Sequence, residues 1–196
     1  MPAPFKVLFV CVGNVCRSPL AQQLLRLRLR EQLGQLSGRV EVTSAGVRAM
    51  VGHPMDDVAA DELARLGGSA EDFAARQLTE PVADRAGLVL TATKKLRSRV
   101  LEEAPGALRR TFTITEFAAL VQGESAESPE SLVRGAAQRR SSAQVEEYDV
   151  PDPIGRGEEV HRAAADLIDA SVTPIAEALA AAVRAEAGGQ RLSERP

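Results

Sequence analysis

Two cysteines, an arginine and a serine-proline pair fall within one short stretch, Cys11-Val12-Gly13-Asn14-Val15-Cys16-Arg17-Ser18-Pro19. The thiolate is the nucleophilic form of cysteine, and both nearby cations and helix N-termini favour it. Arg17 carries a planar fork of donors that matches phosphate oxygens. Ser18-Pro19 reads as a helix start, with the serine hydroxyl as cap and proline at the first helical position. Free amides at such an end attract anions, and Gly13 and Asn14 tolerate the left-handed angles that a loop curled round an anion requires. A thiolate at Cys11 facing a held phosphate can attack it. Zinc is the competing use of cysteines. It needs four ligands, whereas the chain offers Cys11 and Cys16 at an unusual spacing and two histidines far off in sequence, His53 and His161. No metal is expected.

The elements that must position this loop follow from periodicity. Phe5 to Val10 is a short apolar run of strand length, and the leucines at 20, 24, 25, 27, 29 and 33 form a helical stripe stopped by Gly34. Val40 to Ser44 alternates as a second strand ending in Ala45-Gly46, and a helix starting at Asp56 or Asp57 closes at Gly67-Gly68. Pro81 starts a short turn ending at Gly87, Leu88 to Leu90 reads as a buried strand, Lys94 to Ala104 as a helix and Thr111 to Thr115 as a fourth strand. Strands separated by helices predict one doubly wound α/β domain over residues 1–188, a four-stranded parallel sheet with helices on both faces. Residues 122–147 carry few apolar side chains and read as a flexible polar insert, with room for a short helix near Ser131 to Gln138. Glu158 to Val183 forms the closing helix, which Pro174 should kink or split, and residues 189–196 read as a disordered tail.

Composition narrows the function. The 196 residues suit one domain with a real core, 44% of them hydrophobic, and only 3% aromatic, so stacking surfaces for single-stranded nucleic acid are not expected. A net charge of −3 argues against a nucleic-acid partner. The apolar start is too short for a signal peptide, and nothing approaches membrane-spanning length, so no membrane insertion is expected. Both cysteines lie in one loop, which fits a reducing, cytoplasmic setting rather than a disulfide framework.

Attack on a phosphate ester needs an acid for the departing oxygen. The candidate is Asp152 in Tyr148-Asp149-Val150-Pro151-Asp152-Pro153-Ile154-Gly155, where flanking prolines stiffen the backbone. Read alone, Asp-Pro more often just opens a turn.

The stretch Cys11 to Pro19 resembles the signature of the low-molecular-weight protein tyrosine phosphatases of bacterial type, with their Cys-x5-Arg-Ser loop. Asp152-Pro153 resembles the Asp-Pro motif that carries the acid of that family, and Thr43 to Gly46, Ala75 to Leu78 and Ala104 to Gly106 are similar to further family segments. The resemblance implies a flavodoxin-like topology and a cysteinyl-phosphate mechanism. Cys11 would be the nucleophile, Arg17 and the amides of Val12, Gly13, Asn14, Val15, Cys16 and Ser18 would bind phosphate, and Asp152 would be general acid. It also implies that Ser18 hydrogen-bonds the Cys11 sulfur, that the Asn14 amide locks the loop, that Cys16 serves as a redox partner able to form a disulfide with Cys11, and that Met50 and Ile154 wall the substrate slot. No cofactor is implied.

The implied substrate is a phosphotyrosine-containing protein, a bacterial tyrosine kinase being one candidate partner. Two sister activities remain. Arginine phosphatases of the family carry threonine before the second cysteine, where this chain has Val15. Arsenate reductases of this fold use further cysteines, which this chain lacks outside the loop. A non-catalytic phosphate or redox sensor would need neither Cys11 nor Asp152. Ile154 departs from the tyrosine that many family members carry after Asp-Pro, leaving walls that are apolar but not aromatic.

Overall fold

A computed structural model describes residues 3–193, the last four as backbone only. Its centre is the strand Phe5–Cys11 (β1), whose side chains alternate between two apolar layers. Val7, Phe9 and Cys11 enter one buried cluster, and Leu8 and Val10 enter the other. A strand buried on both faces reads as a continuous apolar run, as this one does. It pairs in parallel with Val40–Gly46 (β2) on one side and Leu88–Thr91 (β3) on the other, and Thr111–Thr113 (β4) pairs in parallel with β3. The order β2-β1-β3-β4 is flavodoxin-like. In such a sheet the winding reverses beside β1, and the crevice beyond the carboxyl ends of its strands is where ligands bind. Cys11 is the last residue of β1, opposite Gly46.

The larger layer is built by Arg17–Leu33 (α1), Asp57–Arg65 (α2), Ile114–Val121 (α5), Pro129–Gln138 (α6) and Glu158–Ser193 (α7). Glu80–Asp84 (α3) and Lys94–Glu103 (α4) cover the other face, where Ala83 and Val100 meet Leu8, Val10 and Val89. Among the described residues, no helix is long and apolar enough to cross a membrane.

Four expectations need correction. The fourth strand stops at Thr113, and Ile114 opens α5 rather than extending the sheet. The Thr113 hydroxyl accepts from the Glu116 amide while the Glu116 carboxylate accepts from the Thr113 amide, a reciprocal cap that overrides the β-branched pattern. The short helix expected near Ser131 to Gln138 is present as α6, but it is not part of a flexible insert: Ser128 caps it, and Leu132, Val133 and Ala136 are buried in the main cluster. Its few apolar residues share one helical face, so a low average composition concealed a packed element. Helix α7 runs unbroken through Pro174, and it continues to Ser193, so residues 189–193 of the expected disordered tail are helical. The Thr173 and Ser171 hydroxyls donate to the carbonyls of Asp169 and Leu167 in the turn before that proline. The remainder of that tail, residues 194–196, lies outside the described residues.

Candidate active site

The loop between β1 and α1 is held from outside by its carbonyls. Those of Cys11, Val12, Gly13 and Val15 accept from the amides of Val47, Arg48, Met50 and Asp56, all in the segment after β2. With the carbonyls turned outwards, the amide edge turns in, and the Asn14 amide donates to Cys11 Sγ at 3.2 Å. Asn14 takes the left-handed angle at φ 57°, while Gly13 does not, so the sequence expectation for Gly13 is corrected. A Cβ on Gly13 would meet Val15 and Met50 at ordinary contact distance.

Helix α1 begins at Arg17, two residues earlier than Ser18-Pro19 suggested, and Cys16 occupies the capping position without a side-chain cap. The Ser18 hydroxyl is spent elsewhere, 2.9 Å from Cys11 Sγ. Asn14 Nδ2 donates to Ser18 Oγ and to Ser44 Oγ, Ser44 donates to Gln22 Oε1, and Asn14 Oδ1 accepts from the Arg76 amide. This network is buried, and a satisfied buried network fixes geometry because any lost bond strands a desolvated partner.

Arg17, buried to 4% exposure, donates from Nη1 to the Val150 carbonyl and pairs through Nη2 with Asp152 Oδ2 at 2.7 Å. Asp152 is held on a loop anchored below it. The Val150 amide donates to the Ala92 carbonyl, Thr115 donates to the Tyr148 carbonyl, and Asp149 Oδ1 accepts from the Lys94 amide. Asp149, the neighbouring carboxylate, thus caps α4, whereas Asp152 faces Arg17. Cys11, Val12, Gly13, Val15, Cys16, Arg17, Arg48, Met50, Asp152 and Ile154 line one cleft of about 360 Å³. Met50 and Ile154 are half exposed on its rim. Burial, reinforced by Asp56, Cys11 and Asp152, pushes the Cys16 thiol well up from its ordinary value, with Arg17 opposing.

The arrangement can seat a tetrahedral oxyanion between a loop of amides and Arg17, with a sulfur beneath and a carboxylate beside it. A family model for low molecular weight phosphotyrosine protein phosphatases matches residues 6–145. The chain belongs to this family. The low molecular weight protein-tyrosine-phosphatase Etp of Escherichia coli strain K12 is 40% identical over 111 residues, 57% of this chain and 70% of that protein. The protein-arginine-phosphatase of Geobacillus stearothermophilus is 32% identical over 176 residues, 90% of this chain and 97% of that protein. The structure of the YwlE arginine phosphatase from that organism aligns with a TM-score of 0.66 at 30% identity, covering 98% of this chain and 99% of that one.

Sequence reasoning assigned no role to several residues that build this family site, although Ser44 and Gly46 fall in the family-like segment Thr43 to Gly46. Ser44 and Gln22 complete the Asn14 network, and Gly46 lies directly under the loop. A Cβ on Gly46 would sit 2.5 Å from the Val12 carbonyl oxygen and 3.0 Å from the Asn14 nitrogen, so only glycine lets β2 approach the phosphatase loop this closely. Alternation along β2 could have marked Ser44 as an inward polar residue. His161, set aside as remote, comes beside Cys16.

Proposed function

We propose that this chain is a cysteine-dependent phosphatase that hydrolyses phosphotyrosine in proteins through a cysteinyl-phosphate intermediate. The observation that carries the reading is the convergence of Cys11, Arg17 and Asp152 on one cleft, from two loops more than a hundred positions apart. The Cys11 thiolate attacks phosphorus in line, forming the sulfur–phosphorus bond as the bond to the phenolic oxygen breaks. The Asn14 amide and the Ser18 hydroxyl, oriented by Asn14 Nδ2, stabilise the sulfur anion. Arg17 and the loop amides take up the charge on the equatorial oxygens. Asp152 delivers its proton to the leaving phenolate, then removes one from the water that attacks the intermediate and releases phosphate. The Arg17–Asp152 pair links the two halves, and the incoming phosphate competes with Asp152 for the same guanidinium. This sequence of steps requires no metal or organic cofactor.

Apolar Met50 and Ile154 on the rim suit a phenyl ring, and Arg48, Lys95 and Arg99 along the adjoining cleft suit a phosphopeptide of acidic character. The partner is then a phosphotyrosine-containing protein, a bacterial tyrosine kinase among the candidates, in a reducing cytoplasmic setting that suits two free cysteines. Arginine phosphatase activity is the second reading, favoured by near full-length similarity to the Geobacillus protein-arginine-phosphatase. Against it, Val15 offers no hydroxyl to the cleft and the rim cations repel a guanidinium.

Release of phosphate from phosphotyrosine and phosphoarginine peptides by the natural protein, Cys11→Ser and Asp152→Ala tests these readings, with arsenate reduction run alongside. The expected result is phosphotyrosine turnover abolished by Cys11→Ser, with phosphate still bound. Wild-type turnover in Cys11→Ser would sink the covalent route, and faster phosphoarginine turnover would select the second reading.

A further inference from the structure

At the base of the loop, three side chains from three separate elements meet. Cys16 Sγ precedes α1, Asp56 caps α2, and His161 lies in the first turn of α7, with ligand atoms all within 4.8 Å of one another. His161 is 5% exposed, and its Nδ1 is buried without a hydrogen-bond partner. Asp56 Oδ1 is 3.8 Å from it, beyond hydrogen-bonding reach. A buried imidazole nitrogen left unpaired is costly unless something occupies the space it faces. Cys16 and His161, with Arg17 and apolar side chains of α1, α2 and α7, line a small space of about 10 Å³ that Asp56 does not reach.

We propose that Cys16, Asp56 and His161 form a binding site for a zinc-class divalent cation, tying α7 to the back of the phosphate-binding loop. One sulfur, one imidazole nitrogen and one carboxylate oxygen match the preferences of Zn²⁺, whereas calcium and magnesium require oxygen-rich shells. Zinc–sulfur and zinc–nitrogen bonds of about 2.3 and 2.0 Å place those ligands roughly 3.5 Å apart, so adjustments of about 1 Å would close the site. Asp56 Oδ1 already accepts from the Ala59 amide, and a carboxylate has a second oxygen to offer the ion. Solvent supplies the fourth position. Cys16 also lines the substrate cleft, which gives the ion a way in. On binding, the thiol proton passes to solvent and the sulfur bonds the metal. Cys16 is then unavailable for a bridge to Cys11, so the cation would govern redox chemistry at the loop.

The test is carried out in Cys11→Ser, which removes the competing cleft thiol and makes the result independent of turnover. Zn²⁺ is titrated in competition with a chromophoric chelator, and Co²⁺ is used to look for a thiolate charge-transfer band. One equivalent should bind, with that band present. Affinity should fall by at least about 10- to 100-fold on adding His161→Gln or Asp56→Asn, the range lost when even outer partners of a metal ligand are removed. Asp56→Asn retains a good helix cap, so it reports on the metal even where His161→Gln fails to fold. Equal Zn²⁺ affinity with and without Asp56→Asn, or no thiolate band with Co²⁺, overturns the proposal.

Discussion

The loop that carries Cys11 and the loop that carries Asp152 face each other across one cleft, yet they are held in different ways. Around Cys11, four carbonyls are tied to the 47–56 segment, and the Asn14 side chain bonds Ser18, Ser44 and the Arg76 amide, all with Asn14 and Ser18 fully buried. The Asp152 loop is anchored below at Tyr148, Asp149 and Val150, while the Asp152 side chain is 49% exposed and Ile154 stands in solvent. The difference follows from what each half must do. Charge stabilisation in a transition state depends on dipoles fixed beforehand, which rewards a locked, desolvated loop. A general acid must exchange protons with water between two steps, which rewards a carboxylate on a stiff stem with access to solvent.

After loss of the nucleophile itself, the largest expected effect comes from Arg17, which bonds both halves. Arg17→Lys keeps the charge but loses the planar fork, the bond to the Val150 carbonyl and the paired approach to Asp152. Phosphotyrosine turnover should fall about 10³-fold, the upper range for loss of a preorganised donor, and steady-state kinetics with KM and kcat resolved will measure it. A loss under tenfold would mean that the loop amides alone hold phosphate.

Asp152→Ala touches only the solvent-facing half. It should lower turnover of a phenyl phosphate about 10²-fold, and the deficit should shrink for leaving groups acidic enough to depart unprotonated. A deficit that stays constant across a leaving-group series would remove Asp152 as the acid.

Asn14→Ala touches only the locked half and should act on stability. It leaves buried hydroxyls and the Arg76 amide short of partners and places a Cβ residue at φ 57° without a side chain to compensate. The two penalties together come to about 3 kcal/mol, or roughly 10 °C in a thermal melt of a chain this size. Asn14→Gly relieves the backbone strain and should recover about 1 kcal/mol; no recovery would assign the whole loss to the side-chain network.

How much of this was legible in the sequence depends on distance along the chain. The β1 strand, the stripe of α1 and the parallel sheet are written in local periodicity, and Cys11, Arg17 and Ser18 sit within seven positions of each other. Helix α5 was written locally too, as Thr113-x-x-Glu116, but a β-branched run masked it. The second layer of the site was not legible, because Ser44 and Arg76 reach Asn14 only through tertiary folding, and His161 meets Cys16 across nearly the whole chain. Helix α6 was legible as a short helix, but its packing was not: its buried face uses only a few residues, and composition averages over faces.

The smallest effect separates the two carboxylates of the acid loop. Asp149 Oδ1 accepts from the Lys94 amide at 2.7 Å, next to Thr93, whose hydroxyl accepts from Leu96 at the same helix end. Asp149→Ala removes one of two caps on α4 and should cost about 1 kcal/mol. The loop keeps its Val150 amide on the Ala92 carbonyl and its Tyr148 carbonyl on Thr115, so Asp152 should stay in reach of Arg17. Turnover should therefore change by less than about threefold, with the leaving-group dependence of the natural enzyme intact, since that dependence reports proton delivery rather than loop position. A drop as large as that of Asp152→Ala, with the same leaving-group signature, would transfer the acid role to Asp149 and leave Asp152 as a partner for Arg17.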